Sequence, residues 1–303
     1  MASKYHPYRV KIKGDPQQAV KEDRNSFVGG SDVGSILGLN PWKSAFTLWS
    51  EKCGLITPED IDDKESIWWG RNLEALIAER FTMKTGMKVK RSGYSYHVRE
   101  FSWSRAHIDR LIIGKKAGLE CKSTSAFNKT KYETGEIPPA HYCQCQYYMW
   151  CTGFKVWYLA TKQDNKFYVH EIERNDEFIH DMIGKCVEFW EHVESGIPPE
   201  VDGSESTTET LSELYPESNS DTEIIDLDSV TDELDAIASI QAQESDLKAL
   251  KGKYQNVIKS LLGEAERGEN GKYIVTWKTN ARGSRVFKII EKKEKKENES
   301  ENA

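Results

Sequence analysis

The stretch SRAHIDRLIIGKKAGLECKST, residues 104–124, restricts the fold more than any other part of the chain. It holds Asp109, ten intervening residues, then Glu120, one residue, and Lys122. Leu111, Ile112 and Ile113 read as one strand, Gly114, Lys115 and Lys116 as a turn, and residues 119–122 as the returning strand. Side chains alternate along a strand, so Glu120 and Lys122 share a face and Cys121 takes the other. The turn carries Asp109 back beside Glu120. Two carboxylates that close repel unless a cation lies between them. All-oxygen ligands select a hard divalent ion, Mg²⁺ or Mn²⁺. The same residues also fit an ordinary solvated cross-strand ion pair. The rest of the chain has to separate the two readings.

Upstream, GGSDVGSILG at 29–38 opens with a pair of glycines that break the backbone. Ser31 is expected as an N-cap, with Asp32 in the first turn of a helix reaching Leu37. With Arg24 nearby, such a terminus is a ready anion site, or an ordinary capped surface helix. Pro41 and Trp42 follow in a turn, and Ser44 caps a second amphipathic helix closed by Gly54. A third helix spans 68–86, with Leu73, Leu76, Ile77, Arg80 and Phe81 on its inner side. Glu74 borders that stripe, where a carboxylate needs a partner that a bound cation would supply. Segments 88–91 and 94–97 are strand-like. Beyond the hairpin, 138–153 reads as a helix, 155–161 and 166–172 as paired strands, and 176–194 as a closing helix. Helices flanking a mixed sheet make an α/β sandwich.

Charge divides the chain. Thirteen acids and no Lys or Arg lie between 200 and 235; without them the net charge of −7 becomes +6. The body is therefore mildly basic, as a nucleic-acid partner requires, and the acidity is a separate segment. The expected organisation is a folded domain over 1–199, a flexible acidic linker over 200–228, an appendage over 229–290 and a disordered charged tail over 291–303. The appendage combines a long helix and a β-hairpin. Leu247, Leu250, Tyr254, Val257, Ile258 and Leu261 form a stripe on that helix, the mark of a packing seam. The six cysteines form neither paired C-x-x-C knuckles nor a dense disulfide framework, and are expected in the core. No apolar run approaches a membrane span and the N-terminus has no h-region, so a soluble intracellular protein is expected.

Five motifs stand in a fixed order: GGSDVGSILGLNPW at 29–42, WGRNLE at 69–74, AHID at 106–109, LECK at 119–122 and YCQCQYYMW at 142–150. Together they resemble the YqaJ-type viral recombinase family, phage alkaline exonucleases related to lambda exonuclease within the PD-(D/E)XK nuclease superfamily. The likeness covers residues 24–195. It implies a restriction-endonuclease-like α/β core and an Mg²⁺-dependent 5′-to-3′ exonuclease on double-stranded DNA. Such an enzyme releases 5′-mononucleotides and leaves 3′ single strands for recombination. The resemblance also assigns roles. Glu74, Asp109, Glu120 and the Cys121 backbone carbonyl would hold a pair of Mg²⁺ or Mn²⁺ ions. Lys122 would hold or deprotonate the attacking water, and Gln144 would orient phosphate or water. Arg24 and Ser31 match positions that bind the 5′-terminal phosphate. Trp42 is a candidate to stack on the terminal base pair, or packs against the next helix. A ring-shaped homotrimer, a single-strand annealing protein as partner and a phage or prophage origin in a bacterial cytoplasm are further implications. An endonuclease, an exonuclease of other polarity, and a non-catalytic DNA-end or partner-binding module are the alternatives.

Overall fold

The computed structural model describes residues 5–12, 24–58, 64–125, 132–219 and 224–292. The chain divides into two compact units, residues 1–218 and 219–303.

In the first unit, β1 (Pro7–Lys11) precedes a one-turn helix α1 (Val33–Ile36) and α2 (Ala45–Lys52). The long helix α3 (Glu65–Thr85) leads into β2 (Val89–Arg91), β3 (Tyr94–Val98) and β4 (Phe101–His107). The hairpin follows as β5 (Arg110–Ile112) and β6 (Ala117–Thr124), with Arg110 opposite Leu119 and Leu111 opposite Gly118. Helix α4 (Pro139–Thr152) crosses to β7 (Val156–Gln163), which turns back as β8 (Lys166–Glu173). Helices α5 (Asp176–Ser195) and α6 (Glu205–Leu214) complete the unit.

Five strands form the central sheet in the order β2-β5-β6-β7-β8, antiparallel except for the β6–β7 pair. A parallel pair needs a crossover, and α4 supplies it. Strand alternation then sorts the core into two layers. On one face Leu119, Tyr158 and Ala160 pack with Ile77, Ala78 and Phe81 of α3, and Cys121 joins them. On the other, Trp157 and Leu159 meet Met149 and Trp150 of α4 and Met182 of α5. This is the expected sandwich. All six cysteines are free thiols; Cys143, Cys145, Cys151 and Cys186 are buried. No helix among the described residues is long and apolar enough to cross a membrane.

Three sequence expectations change. The inner side of α3 is Ile77, Ala78 and Phe81, whereas Leu76 and Arg80 are exposed. At about 100° per residue, the true inner line is turned one position from the expected stripe, and Glu74 falls on it. Strands β1 and β4, which were not anticipated, pair with β3 in a second sheet. The segment 200–228 is not a linker throughout. Ser204 accepts the Thr207 N–H (3.2 Å) to start α6, and Thr207 and Thr210 are buried against α2. There Thr207 donates to Ser44 Oγ (2.8 Å) and Thr210 Oγ1 lies 2.8 Å from Thr47 Oγ1. A hydroxyl-to-hydroxyl interface carries no apolar periodicity, so composition alone reads as solvated. The charged tail from 293 onward lies outside the described residues.

Gly118 shows how tightly β6 is fitted. Its register partner on β7 is Trp157, and a Cβ on Gly118 would come within 2.3 Å of the Trp157 ring. Gly118→Ala is expected to cost about 1–3 kcal/mol in urea unfolding, the range for overpacked cores. Combined with Trp157→Leu it should cost less than the sum of the two single changes. Additive losses would show that the ring is not what the methyl group meets.

In the second unit, helix α7 (Thr231–Leu262) is followed by β9 (Arg267–Glu269), β10 (Tyr273–Thr279) and β11 (Arg285–Glu291). The strands form one antiparallel sheet in the order β11-β10-β9, a strand more than the expected hairpin. Arg285 stacks 3.6 Å over the Trp277 ring and donates to the Gly263 and Ala265 carbonyls, both at 2.8 Å. It thereby ties the end of α7 to the sheet.

Candidate active site

Asp109 stands at the entry to β5, and its Oδ2 accepts the Cys121 backbone N–H at 2.9 Å. Glu120 projects from β6 toward α4 and is buried. Two donors converge on one of its oxygens: Lys122 Nζ lies 2.7 Å from Oε1, and Gln144 Nε2 donates to the same atom at 2.8 Å. Gln144 also donates to the Tyr148 hydroxyl at 2.7 Å, one turn further along α4. The second oxygen, Glu120 Oε2, is buried with no hydrogen-bond partner. From α3, half-buried Glu74 pairs with the Arg110 guanidinium. The side chains read from the sequence as Asp109, Glu120, Lys122, Gln144 and Glu74 thus belong to one neighbourhood.

Its electrostatics are unbalanced. Burial, then the charges of Glu120 and Glu74, push the Asp109 carboxyl well above the usual carboxylate range. Burial works to lower Lys122, but Glu120 and Asp109 outweigh it and hold the ammonium above its ordinary value. His141 on α4 is brought down to about 3 by burial and by Lys122, so its ring is neutral. Three carboxylates with one bare buried oxygen call for more positive charge than Lys122 and Arg110 provide. That donor set fits a hard divalent cation. Among the described residues no three acidic, His or Cys side chains are already drawn into a ligand cage. Arg110 holds Glu74, and Lys122 with Gln144 holds Glu120 Oε1.

The expected anion site is built differently from the prediction. Asp32, not Ser31, occupies the N-cap position of α1, and its side chain makes no capping bond. It is buried instead, accepting from Gly29 N–H (3.0 Å), Lys52 Nζ (3.0 Å) and Arg24 Nη2 (3.2 Å). Lys52 also donates to the carbonyls of Arg24 (2.7 Å) and Phe27 (2.6 Å). Burial works against both charges of this pair. On Lys52 it wins; on Asp32 the two cations win and hold the carboxyl below its usual range. An internal carboxylate therefore anchors Arg24, whose side chain remains 46 % exposed, while Ser31 faces solvent. Asp32 prevails because a buried ion pair with several hydrogen bonds outweighs a hydroxyl cap on a one-turn helix. The loop also reaches the carboxylate cluster. A Cβ on Gly30 would come within 2.4 Å of the Tyr148 ring, the side chain that accepts from Gln144. Trp42 is 84 % exposed, so it does not pack on the next helix.

Lys52, Arg110, Tyr148 and His141 were not singled out as site residues by sequence. The four-residue spacing of Gln144 and Tyr148 was the one local signal. Arg110 adjoins Asp109 but meets a residue 36 positions away, and Lys52 meets one 20 positions away.

Comparison with known proteins adds an independent line. The family model described as YqaJ-like viral recombinase domain matches residues 20–155. The uncharacterized protein YqaJ of Bacillus subtilis (strain 168) is 37% identical over 262 residues, covering 84% of this chain and 81% of that one. Among solved structures, an alkaline exonuclease (LHK-Exo) from Laribacter hongkongensis superposes with a TM-score of 0.52 at 20% identity, over 65% of this chain and 100% of that one. Its complex with dAMP gives 0.53 at the same identity and coverage. At that identity the likeness shows a shared fold.

Proposed function

The chain belongs to the YqaJ-like viral recombinase family, and on that premise we propose an Mg²⁺-dependent exonuclease that degrades double-stranded DNA from the 5′ end. It releases 5′-mononucleotides and leaves 3′ single strands. The observation that carries this reading is the buried, unpartnered Glu120 Oε2 amid three carboxylates and beside Lys122.

Glu74, Asp109, Glu120 and the Cys121 carbonyl would hold Mg²⁺ or Mn²⁺. Bound there, such ions lower the pKa of a water and offset charge on the phosphate. Lys122, kept as an ammonium by Glu120 and Asp109, stands where it can donate to a phosphate oxygen as negative charge develops. Gln144 is fixed between Glu120 and Tyr148, so its amide can orient a phosphate or water without first losing side-chain freedom. Arg24, aimed by Asp32, offers its exposed guanidinium edge to a terminal phosphate, with the Ser31 hydroxyl close by in sequence. Gripping the end in this way sets the direction of digestion. The Laribacter exonuclease has been crystallised with dAMP, which supports a mononucleotide product. A ring-shaped homotrimer and a single-strand annealing partner belong to the same proposal.

Linear duplexes blocked at one 5′ end provide the test. Mononucleotides should appear only from the open end and only with a divalent ion. Arg24→Ala should reduce the preference for 5′-phosphorylated over dephosphorylated ends by about ten- to a hundredfold, the worth of one charge-assisted contact. Cleavage of closed circles, or equal digestion of both kinds of end by the parent protein, would reject the polarity assigned here.

A further inference from the structure

Helix α7 is 32 residues long and buries none of them. Its side chains are nonetheless ordered. Ile240, Leu247, Tyr254 and Leu261 recur every seven residues, with Gln243, Leu250 and Val257 spaced between them at the same interval. Alternate steps of three and four make a 3.5-residue repeat, the seam of a two-helix coiled coil. The six apolar members are all exposed, from 43 % at Leu250 to 84 % at Leu261. Helices in proteins draw most of their stability from a packed face, and this seam lies open.

Charge says what covers it. The helix carries five acids, all before Leu247, and four lysines, all after it. A parallel copy would lay the acidic halves side by side and leave Asp246 with Lys251 as the one attractive flanking pair, whereas an antiparallel copy sets the acidic half on the basic half. We infer that α7 pairs antiparallel with α7 of a second copy of this chain. With the two-fold axis midway between Leu247 and Leu250, Leu247 of one copy meets Leu250 of the other, and Ile240 meets Val257. Gln243, the polar member of the seam, then faces Tyr254, whose hydroxyl is a hydrogen-bonding partner for its amide. At the flanks Glu244 lies opposite Lys251 and Asp246 opposite Lys253, each pair occurring twice, while Ile237 faces Ile258. In a parallel pair Gln243 would stack on itself and Lys253 would lie beside Ile258. Asp246–Lys251 is the one attractive flank left in that orientation, so the sequence complements itself better antiparallel.

The test is the mass of the full chain in solution at micromolar concentration, by light scattering or sedimentation. Leu250→Glu should halve the number of copies, whatever number assembles through the first unit. Leu250 is exposed, so the fold should be retained, as checked by circular dichroism. Lys253→Glu should loosen the pair about tenfold, because two attractive contacts become repulsive. Adding Asp246→Lys to that variant should restore it. In a parallel pair residue 246 faces Lys251, and the same addition would weaken association further. A mass unchanged by Leu250→Glu, including one in which a different protein takes the seam, overturns the inference. So does failure of the second-site charge to restore pairing.

Discussion

Asp109→Asn is expected to lower nucleotide release by about a thousandfold or more while leaving the protein at least as stable as its parent in buffer free of divalent ions. The two effects have one cause. Desolvation and the neighbouring charges of Glu120 and Glu74 raise the half-buried Asp109 carboxyl well above 3.8, its value outside the fold. Above pH 3.8 the unfolded chain has lost this proton and the folded chain still holds it. Stability therefore falls as pH rises from there through the folded value, and the loss persists above it. Asparagine cannot ionise, and its amide oxygen can still accept the Cys121 N–H that Asp109 Oδ2 accepts at 2.9 Å. Thermal melts across pH should show the downward slope in the parent and a flatter curve in the variant. Added Mn²⁺ should raise the melting temperature of the parent alone, since a ligand that binds only the folded state stabilises it. A variant that melts well below the parent and still digests DNA would sink the carboxylate cluster as a cation site.

Lys52→Met should cost about 3–5 kcal/mol, the range for stranding a buried charge. The Lys52 side chain is 1% exposed and Asp32 4%, so water cannot replace the lost ammonium. Methionine keeps the apolar stem and loses donors to Asp32, Arg24 and Phe27 together. Because the Asp32 carboxyl is held below 3.8, its stabilising contribution is full above that pH and fades as pH falls through the folded value. The parent should show that acid-side loss, and Lys52→Met should show much less of it. Pairing Lys52→Met with Asp32→Asn should recover part of the stability, since the stranded charge is removed. Preference for 5′-phosphorylated ends should fall in the double variant, because Arg24 loses its Asp32 anchor. A loss under about 1 kcal/mol in urea unfolding, the range of a surface pair, would falsify the buried-pair account.

Much of the candidate site was legible because its logic is local. The β5–β6 hairpin is one turn between short strands, and strand alternation alone puts Glu120 and Lys122 on one face and Cys121 on the other. Gln144 and Tyr148 are one helical turn apart, so their adjacency follows from helix geometry. Motif order carried the family, and with it the fold. What stayed hidden was every choice between partners distant in sequence. Ser31 had the chemistry of a cap, yet Asp32 took the position because Lys52 arrives from α2 to bury it. Glu74 was seen to need a partner, and the guanidinium it meets comes from β5, 36 positions further along the chain.

By itself, then, the sequence determined which residues alternate, which turn back and which repeat, down to the seven-residue repeat of α7, because those relations depend only on the backbone's own periods. Tertiary structure alone decided which face of α3 turns inward, that 205–214 docks on α2, and which cation neutralises which carboxylate. Each of these compares interactions across elements, where burial removes water as a competing partner and sets the strength of every charge.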